Sequence, residues 1–354
     1  MKNTALVVGV TGITGSATAL KLIEEGWETY GLARNPELDI EGLHPVAADL
    51  LKPETLKHAF ADLAPTHVYI ATWMRNDNEA ENIKVNGQMI KNLLDALAPK
   101  KSVQHVALVT GLKHYLGPFD AYAKGKLPRT PFHEGLPRLD VPNFYYAQED
   151  EVYAAAARDG FTWSIHRPHT IIGKAVGNHM NMGTTLAVYA TICKESGKPF
   201  RWPGSKEQWH GITDMTESKV LADHLIWAST TAEVANEAFN VVNGDVFRWR
   251  DMWERLAEYF ELDTVGYEDV IHPLETEMEN DTEVWRKIAG TYSLAESNLH
   301  KLASPWHTDL DLSRPMEIMT DMSKSRKMGF LEYKKTQDSF YDLFDQLRDE
   351  NIIP

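Results

Sequence analysis

Cysteine is almost absent from this 354-residue chain: the single Cys193 excludes an intrachain disulfide framework and a thiolate metal cluster. Its neighbours Ile192 and Lys194 read as helix, where a lone cysteine serves as a small packing residue. Long apolar runs are missing as well, and no stretch reaches the about 18 residues of a membrane helix. The run from Thr4 to Val10 is short for a secretory leader and breaks into a glycine-rich turn, so the expected localisation is cytoplasmic. Basic charge is scarce: 36 Lys and Arg against 51 Asp and Glu leave a formal net charge of −15, which disfavours a nucleic-acid surface. Fourteen histidines include no His-x-x-x-His pair, so metal-dependent hydrolysis has little support and no metal is expected. His114 is the one near the candidate site, where packing or hydrogen bonding is its expected role. Internal repeats and low-complexity tracts are absent.

What is present is a regular alternation of elements over a length that accommodates roughly two domains. Thr4 to Gly9 is an apolar run ending in glycine, and Ile13 to Glu25 follows with Ile13, Ala17, Leu20 and Ile23 at helical spacing: a strand, a tight turn and a helix. Further strands are expected at Trp27 to Ala33, Pro45 to Ala48, His67 to Ala71, Val103 to Thr110 and Thr162 to His166. Helices are expected between them at Lys52 to Ala61, Glu79 to Leu97 and Tyr145 to Arg158. Such alternation requires right-handed crossovers, which gives an α/β fold, a Rossmann-type doubly wound parallel sheet covered on both faces. Residues 1–170 are assigned to this nucleotide-binding domain, including a long loop at about 113–143 rich in Gly, Pro and aromatics. A connection of that length is unusual without function, which makes it an active-site loop. Residues 171–354 carry helices expected at Met182 to Ser196, Glu217 to Ser229, Arg250 to Tyr259, Thr282 to Ala289 and Lys335 to Asp349. They read as a smaller, mostly helical substrate-binding lobe from which some segments return to the sheet domain.

Gly9-Val10-Thr11-Gly12-Ile13-Thr14-Gly15 spaces its glycines by three at the first strand-helix junction. Gly9 permits the turn, Gly12 lets backbone approach a pyrophosphate, and Gly15 lets the helix lie near the sheet, whose edge the helix N-terminus then offers to an anion. The second strand ends in Ala33-Arg34-Asn35, with no acidic residue to accept from a ribose diol. Arg34 can pair with a 2′-phosphate, so NADPH is preferred, although Asn35 supplies no second positive charge. Asp49 and Leu50 can set an acceptor and an apolar contact beside the adenine, with an N-cap for the following helix as the plain alternative for Asp49. Thr72 falls at the C-terminal edge of the sheet, where ligands bind in such folds. Asn86 is either a brace for the loop around Thr110 or an exposed, inert residue.

Thr110-Gly111-Leu112-Lys113 closes the fifth strand at that same edge, and Tyr145 opens the next helix. A phenol titrates at about 10 and an ammonium at about 10.4, so neither suits proton transfer at neutral pH in water. Beside a positively charged nicotinamide, the ammonium stabilises negative charge on the phenol or on a substrate oxyanion. One helical turn beyond Tyr145 stands Glu149, where a Tyr-x-x-x-Lys pair would keep its lysine, and Lys113 is the displaced partner.

Thr110 to Phe119 and Asn143 to Asp150 resemble the two signature segments of the progesterone 5β-reductase and iridoid synthase-like enzymes, an atypical branch of the short-chain dehydrogenase/reductase superfamily. Ser164 to Pro168 and Met322 to Phe330 are similar to family segments too, so the resemblance runs through nearly the whole chain. It implies NADPH-dependent 1,4-reduction of an activated C=C bond, an enone or enal, with Tyr145 and Lys113 catalytic and Arg34 on the cofactor phosphate. It further implies that hydride reaches the β-carbon, that Tyr145 stabilises the resulting enolate, and that the α-carbon takes its proton from water. Substrate walls should be apolar; Tyr146, Trp73, Phe119 and Trp202 are the candidates beside Tyr145, with Met74, Met182 and Trp209 as further contributors. A homodimer is left open.

Two rivals remain on the same residues. An alcohol or carbonyl oxidoreductase, or a sugar epimerase, would want a Tyr-x-x-x-Lys helix; the literal match, Tyr122 to Lys126, holds Gly125 and precedes Pro128, so no helix is expected there. A non-catalytic NADP(H)-sensing protein would have no need of both Lys113 and Tyr145.

Overall fold

Thr4–Val8 is buried at every position but its first, as a strand covered on both faces must be. It opens the fold seen in a computed structural model, which describes residues 3–118, 128–177 and 180–354. The chain divides into two compact units: residues 1–169, 218–241 and 321–332 form one, and 170–217, 242–320 and 333–354 the other.

The first unit carries strands β1 (Thr4–Val8), β2 (Glu28–Ala33), β3 (Leu43–Ala47), β4 (His67–Ile70), β5 (His105–Val109), β6 (Thr162–Pro168) and β7 (Glu237–Val241). All pair in parallel in the order β7-β6-β5-β4-β1-β2-β3. The order reverses between β1 and β4, the switch point at which doubly wound sheets bind ligands. The crossovers are α1 (Ile13–Glu24), α2 (Pro53–Ala59), α3 (Glu79–Leu97), a short α4 (Lys113–Leu116), α5 (Phe144–Asp159) and α6 (Ser218–Thr230). Strand β7 and helix α6 lie in the stretch read from sequence as lobe; both belong to the sheet unit, and β7 is half covered and only five residues long.

One sheet face is a hydrocarbon layer: Leu6, Val8, Val68, Ile70, Val106, Leu108 and Ile165 meet Ile90, Leu93, Leu94 and Leu97 of α3 and Val152 of α5. These helix positions recur at three and four residues, the stripe that faces a core. The opposite face, under α1 and α6, is polar near its centre. His105 pairs with Thr162 Oγ1 at 2.8 Å and Ser164 Oγ at 2.9 Å, Ser164 with His166 at 2.8 Å, His166 with His224 of α6 at 3.0 Å, and His224 with Ser325 at 2.9 Å. Each buried ring is satisfied by the next group along, which makes its burial affordable.

In the second unit, helix Met182–Ser196 is buried from Met182 through Cys193 and forms the centre of the core. Around it lie Trp249, Trp253, Trp285, Phe340 and Phe344, and Phe200 stacks on Trp253 at 4.0 Å between ring centres. Cys193 is a core residue here, its thiol pushed up to about 12 by burial. Trp202 is 1% exposed, packs edge-on against Trp253 and donates its indole N–H to Ser205 O; it is a core residue and not a pocket wall. Among the described residues no helix is long and apolar enough to cross a membrane.

Candidate active site

The β1-α1 turn is shaped by contacts that only glycine allows. Gly9 has φ +86°, and a Cβ there would meet Ala71 O at 2.6 Å and Thr72 Cβ at 2.8 Å, so the loops after β1 and β4 touch at the switch point. A Cβ on Gly15 would lie 2.1 Å from Gly9 O. Gly12 is the N-cap of α1; no side chain caps that end and no acid lies in its first turn. The orphan N–H groups and the positive end of this 12-residue helix are therefore left uncapped beside exposed Thr11, which fits a pyrophosphate. Ile13 is buried beneath the turn. Arg34 is exposed just past β2 and makes no ion pair among the described residues, an arrangement that fits a 2′-phosphate.

Other expected cofactor contacts are differently employed. Asp49 is not the N-cap of α2; Lys52 is, while Asp49 Oδ1 accepts from Leu51 N at 3.0 Å and closes a local turn. Leu50 is buried in the hydrocarbon layer, and its carbonyl accepts from Asn92. Asn86 is buried and braces the loop after β4, bonding Met74 N at 2.7 Å and Met74 O at 2.8 Å; it does not reach the Thr110 loop. Thr110 is held to β6 through His166 O, and Thr72 O accepts from Gln148 of α5.

Lys113 heads α4 and Tyr145 sits in the first turn of α5. Asn143 joins the two segments: its Nδ2 donates to Lys113 O at 2.8 Å, and its Oδ1 caps α5 by accepting from Tyr145 N at 3.1 Å. Glu79, first residue of α3, makes a second join. Its Oε2 meets Lys113 Nζ at 2.7 Å and its Oε1 accepts from Phe144 N at 2.8 Å. The Phe144 ring lies between Trp73, stacked at 4.8 Å, and the Lys113 ammonium at 4.4 Å. Burial lowers the Lys113 pKa, against the pull of Glu79. Burial raises that of Tyr145, and the Glu79 charge adds to the rise. The Tyr145 hydroxyl has no hydrogen-bond partner among the described residues and lies so near Gly111 that a Cβ there would be 3.4 Å away.

The residue in the lysine's usual place has its own work. Glu149 is 1% exposed, with Arg138 at 2.8 Å, Arg167 at 3.3 Å and His114 at 3.5 Å. Burial alone would raise its pKa; the His114 contact and the two guanidinium groups win and hold it below the usual range. Tyr146, expected as a substrate wall, is a buried tether: its hydroxyl donates to His114 O at 2.6 Å and accepts from Leu139 N at 3.0 Å. That bond and the Arg138 guanidinium over its ring fasten the end of the long connection to α5. Phe119 and the segment Tyr122 to Lys126 lie outside the described residues. Sequence reasoning missed Glu79, Asn143, Arg138 and Arg167. Asn143 left a signal as an N-cap residue just before a helix, and Arg167 as part of the family-like segment Ser164 to Pro168.

Fold and glycine turn are those of a dinucleotide-binding protein, and its relatives make the chain a nicotinamide-dependent oxidoreductase. The chain belongs to the PRISE-like Rossmann-fold domain family, whose model matches residues 40–354. An (S)-8-oxocitronellyl enol synthase of Nepeta cataria is 38% identical over all of this chain and 94% of its own length. The 3-oxo-Delta(4,5)-steroid 5-beta-reductase of Arabidopsis thaliana is 37% identical with the same coverage of both chains. Among solved structures, the UDP-glucose 4-epimerase of Thermotoga maritima matches at a TM-score of 0.69 and 13% identity over 98% of this chain and 99% of that one, a likeness of fold alone.

Proposed function

We propose that the chain catalyses NADPH-dependent 1,4-reduction of the activated C=C bond of a small enone or enal, with Tyr145 as hydrogen-bond donor and Lys113 as its supporting cation. The observation that carries this reading is the joining of Lys113 and Tyr145 by Glu79 and Asn143 at the C-terminal edge of the sheet. NADPH, when bound, supplies the hydride. The α1 N-terminus would hold its pyrophosphate and Arg34 its 2′-phosphate.

As the β-carbon is reduced, negative charge gathers on the carbonyl oxygen as an enolate. A donor lowers the barrier only if it binds that enolate better than the starting carbonyl. The Tyr145 hydroxyl is kept protonated by its burial and by Glu79, and no group among the described residues engages it, so it is available to donate. Lys113 adds positive field from the neighbouring segment. The α-carbon takes its proton from water, so no second acid is required. Of the two named relatives one is an 8-oxocitronellyl enol synthase and the other a steroid 5-beta-reductase, which supports a small enone or enal as substrate here, with Trp73 as a wall.

Purified protein should oxidise NADPH with 2-cyclohexen-1-one and yield the saturated ketone, identified by gas chromatography. Only allylic alcohol as product would sink the reading. Tyr145→Phe should lower kcat by about 10²-fold or more with NADPH affinity nearly unchanged, and wild-type turnover would remove Tyr145 from the mechanism.

A further inference from the structure

Acids in the first turn of a helix ordinarily answer the helix's own dipole. In α3 the capping itself is done by Asn78, whose Oδ1 accepts from Glu81 N at 2.9 Å. Glu79 is thereby free to leave its helix, and both of its oxygens go elsewhere: Oε2 to the Lys113 ammonium, Oε1 to the amide of Phe144. That amide is the first of α5, a donor no intrahelical carbonyl can satisfy. Asn82 Nδ2, one turn along α3, donates to Oε2 at 3.3 Å and steadies the carboxylate. The side chains of Glu79 and Lys113 are 18% and 20% exposed, so water screens the pair only in part.

We infer that Glu79 is a positioning residue for the reduction: one carboxylate fixes the lysine's charge and the first turn of α5, and so sets Tyr145 against Lys113. The inference rests on the reductase reading above. Two demands conflict at this site. The lysine must be charged to support an enolate, yet its burial works against that charge; the tyrosine must keep its proton to donate it. A single negative charge beside both groups meets both demands. A helix-capping role alone would meet neither.

Glu79→Gln separates the two roles, because its amide oxygen can still accept from Phe144 N while the charge is gone. Lys113 in that variant should be acetylated by acetic anhydride at pH 8 roughly three to ten times faster than in wild type, read by peptide mass spectrometry. The kcat for the enone should fall roughly ten- to a hundredfold, with KM for enone and for NADPH changing less than about threefold. Lys113 labelling at the wild-type rate, or an unchanged kcat, overturns the inference, as does a loss in which kcat, both KM values and the melting temperature move together. Glu79→Ala loses both contacts and should be worse; if it fails to fold, the glutamine variant still decides. If wild type reduces no enone while labelling responds to the substitution, the ion pair stands and the reductase reading falls, together with the role of Glu79 in it.

Discussion

Arg34 stands exposed after β2, and no carboxylate among the described residues claims it. A charge-assisted pair with a phosphate is worth about 1.5–3 kcal/mol. Arg34→Ala should therefore raise KM for NADPH by about ten- to a hundredfold and leave KM for NADH nearly unchanged; equal effects on both would remove its assigned role. Single residues were legible where chemistry and chain position coincide. Lys113 follows the fifth strand and Tyr145 lies in the first turn of the next long helix, and both could be singled out from that. Glu79 could not, because its partners lie 34 and 65 residues away and only the fold brings them together. Tyr146 and Trp202 were misread for a different reason. An aromatic ring looks the same in a sequence whether it lines a cavity or plugs a core, and each of these has its polar atom bonded inside the protein.

At the scale of elements, periodicity does most of the work. The helices expected at Glu79 to Leu97 and Met182 to Ser196 have those bounds; in the structure Asn78 caps the first and Gly197, in left-handed conformation, ends the second. Strand β7 escaped, since five half-covered residues carry no pattern of their own and pair with a strand over 70 residues earlier. The glycine turn is where an element can be tested. Gly15→Ala forces a methyl against a backbone carbonyl that cannot move without shifting β1. It should destabilise the protein by about 1–3 kcal/mol and weaken NADPH binding, measured by fluorescence titration, more than tenfold. Wild-type affinity in a folded Gly15→Ala protein would remove the close approach from the account of the cofactor site.

For the molecule as a whole, the buried histidine chain sets the acid limit. Burial brings His105 and His224 down to about 3, and burial with its histidine neighbours holds His166 well below its ordinary range. Unfolded, each titrates at about 6.5. Between those values the unfolded chain binds protons that the folded chain refuses, so stability rises with pH through that window and is lost as pH falls. At pH 5 the loss is on the order of 2 kcal/mol for each of His105 and His224. The urea midpoint should fall clearly from pH 7.5 to pH 5, and His224→Gln should flatten the dependence. A midpoint independent of pH over that range would show that the chain of rings does not stay neutral. None of this was legible in advance, because the four residues of the chain's core come from β5, β6 and α6 and meet only across the sheet face.

The buried anion at Glu149 bears on how such an enzyme can change. Two guanidinium groups converge on that one carboxylate. A lysine substituted there would set a third cation beside the two guanidinium groups and leave Arg167 without its carboxylate partner, a loss on the order of 3–5 kcal/mol. A single Glu149→Lys change, which would write the commoner Tyr-x-x-x-Lys spacing into α5, is therefore strongly disfavoured while Arg138 and Arg167 stand. The lysine's place at position 113 is thus kept by charges that take no part in the reaction.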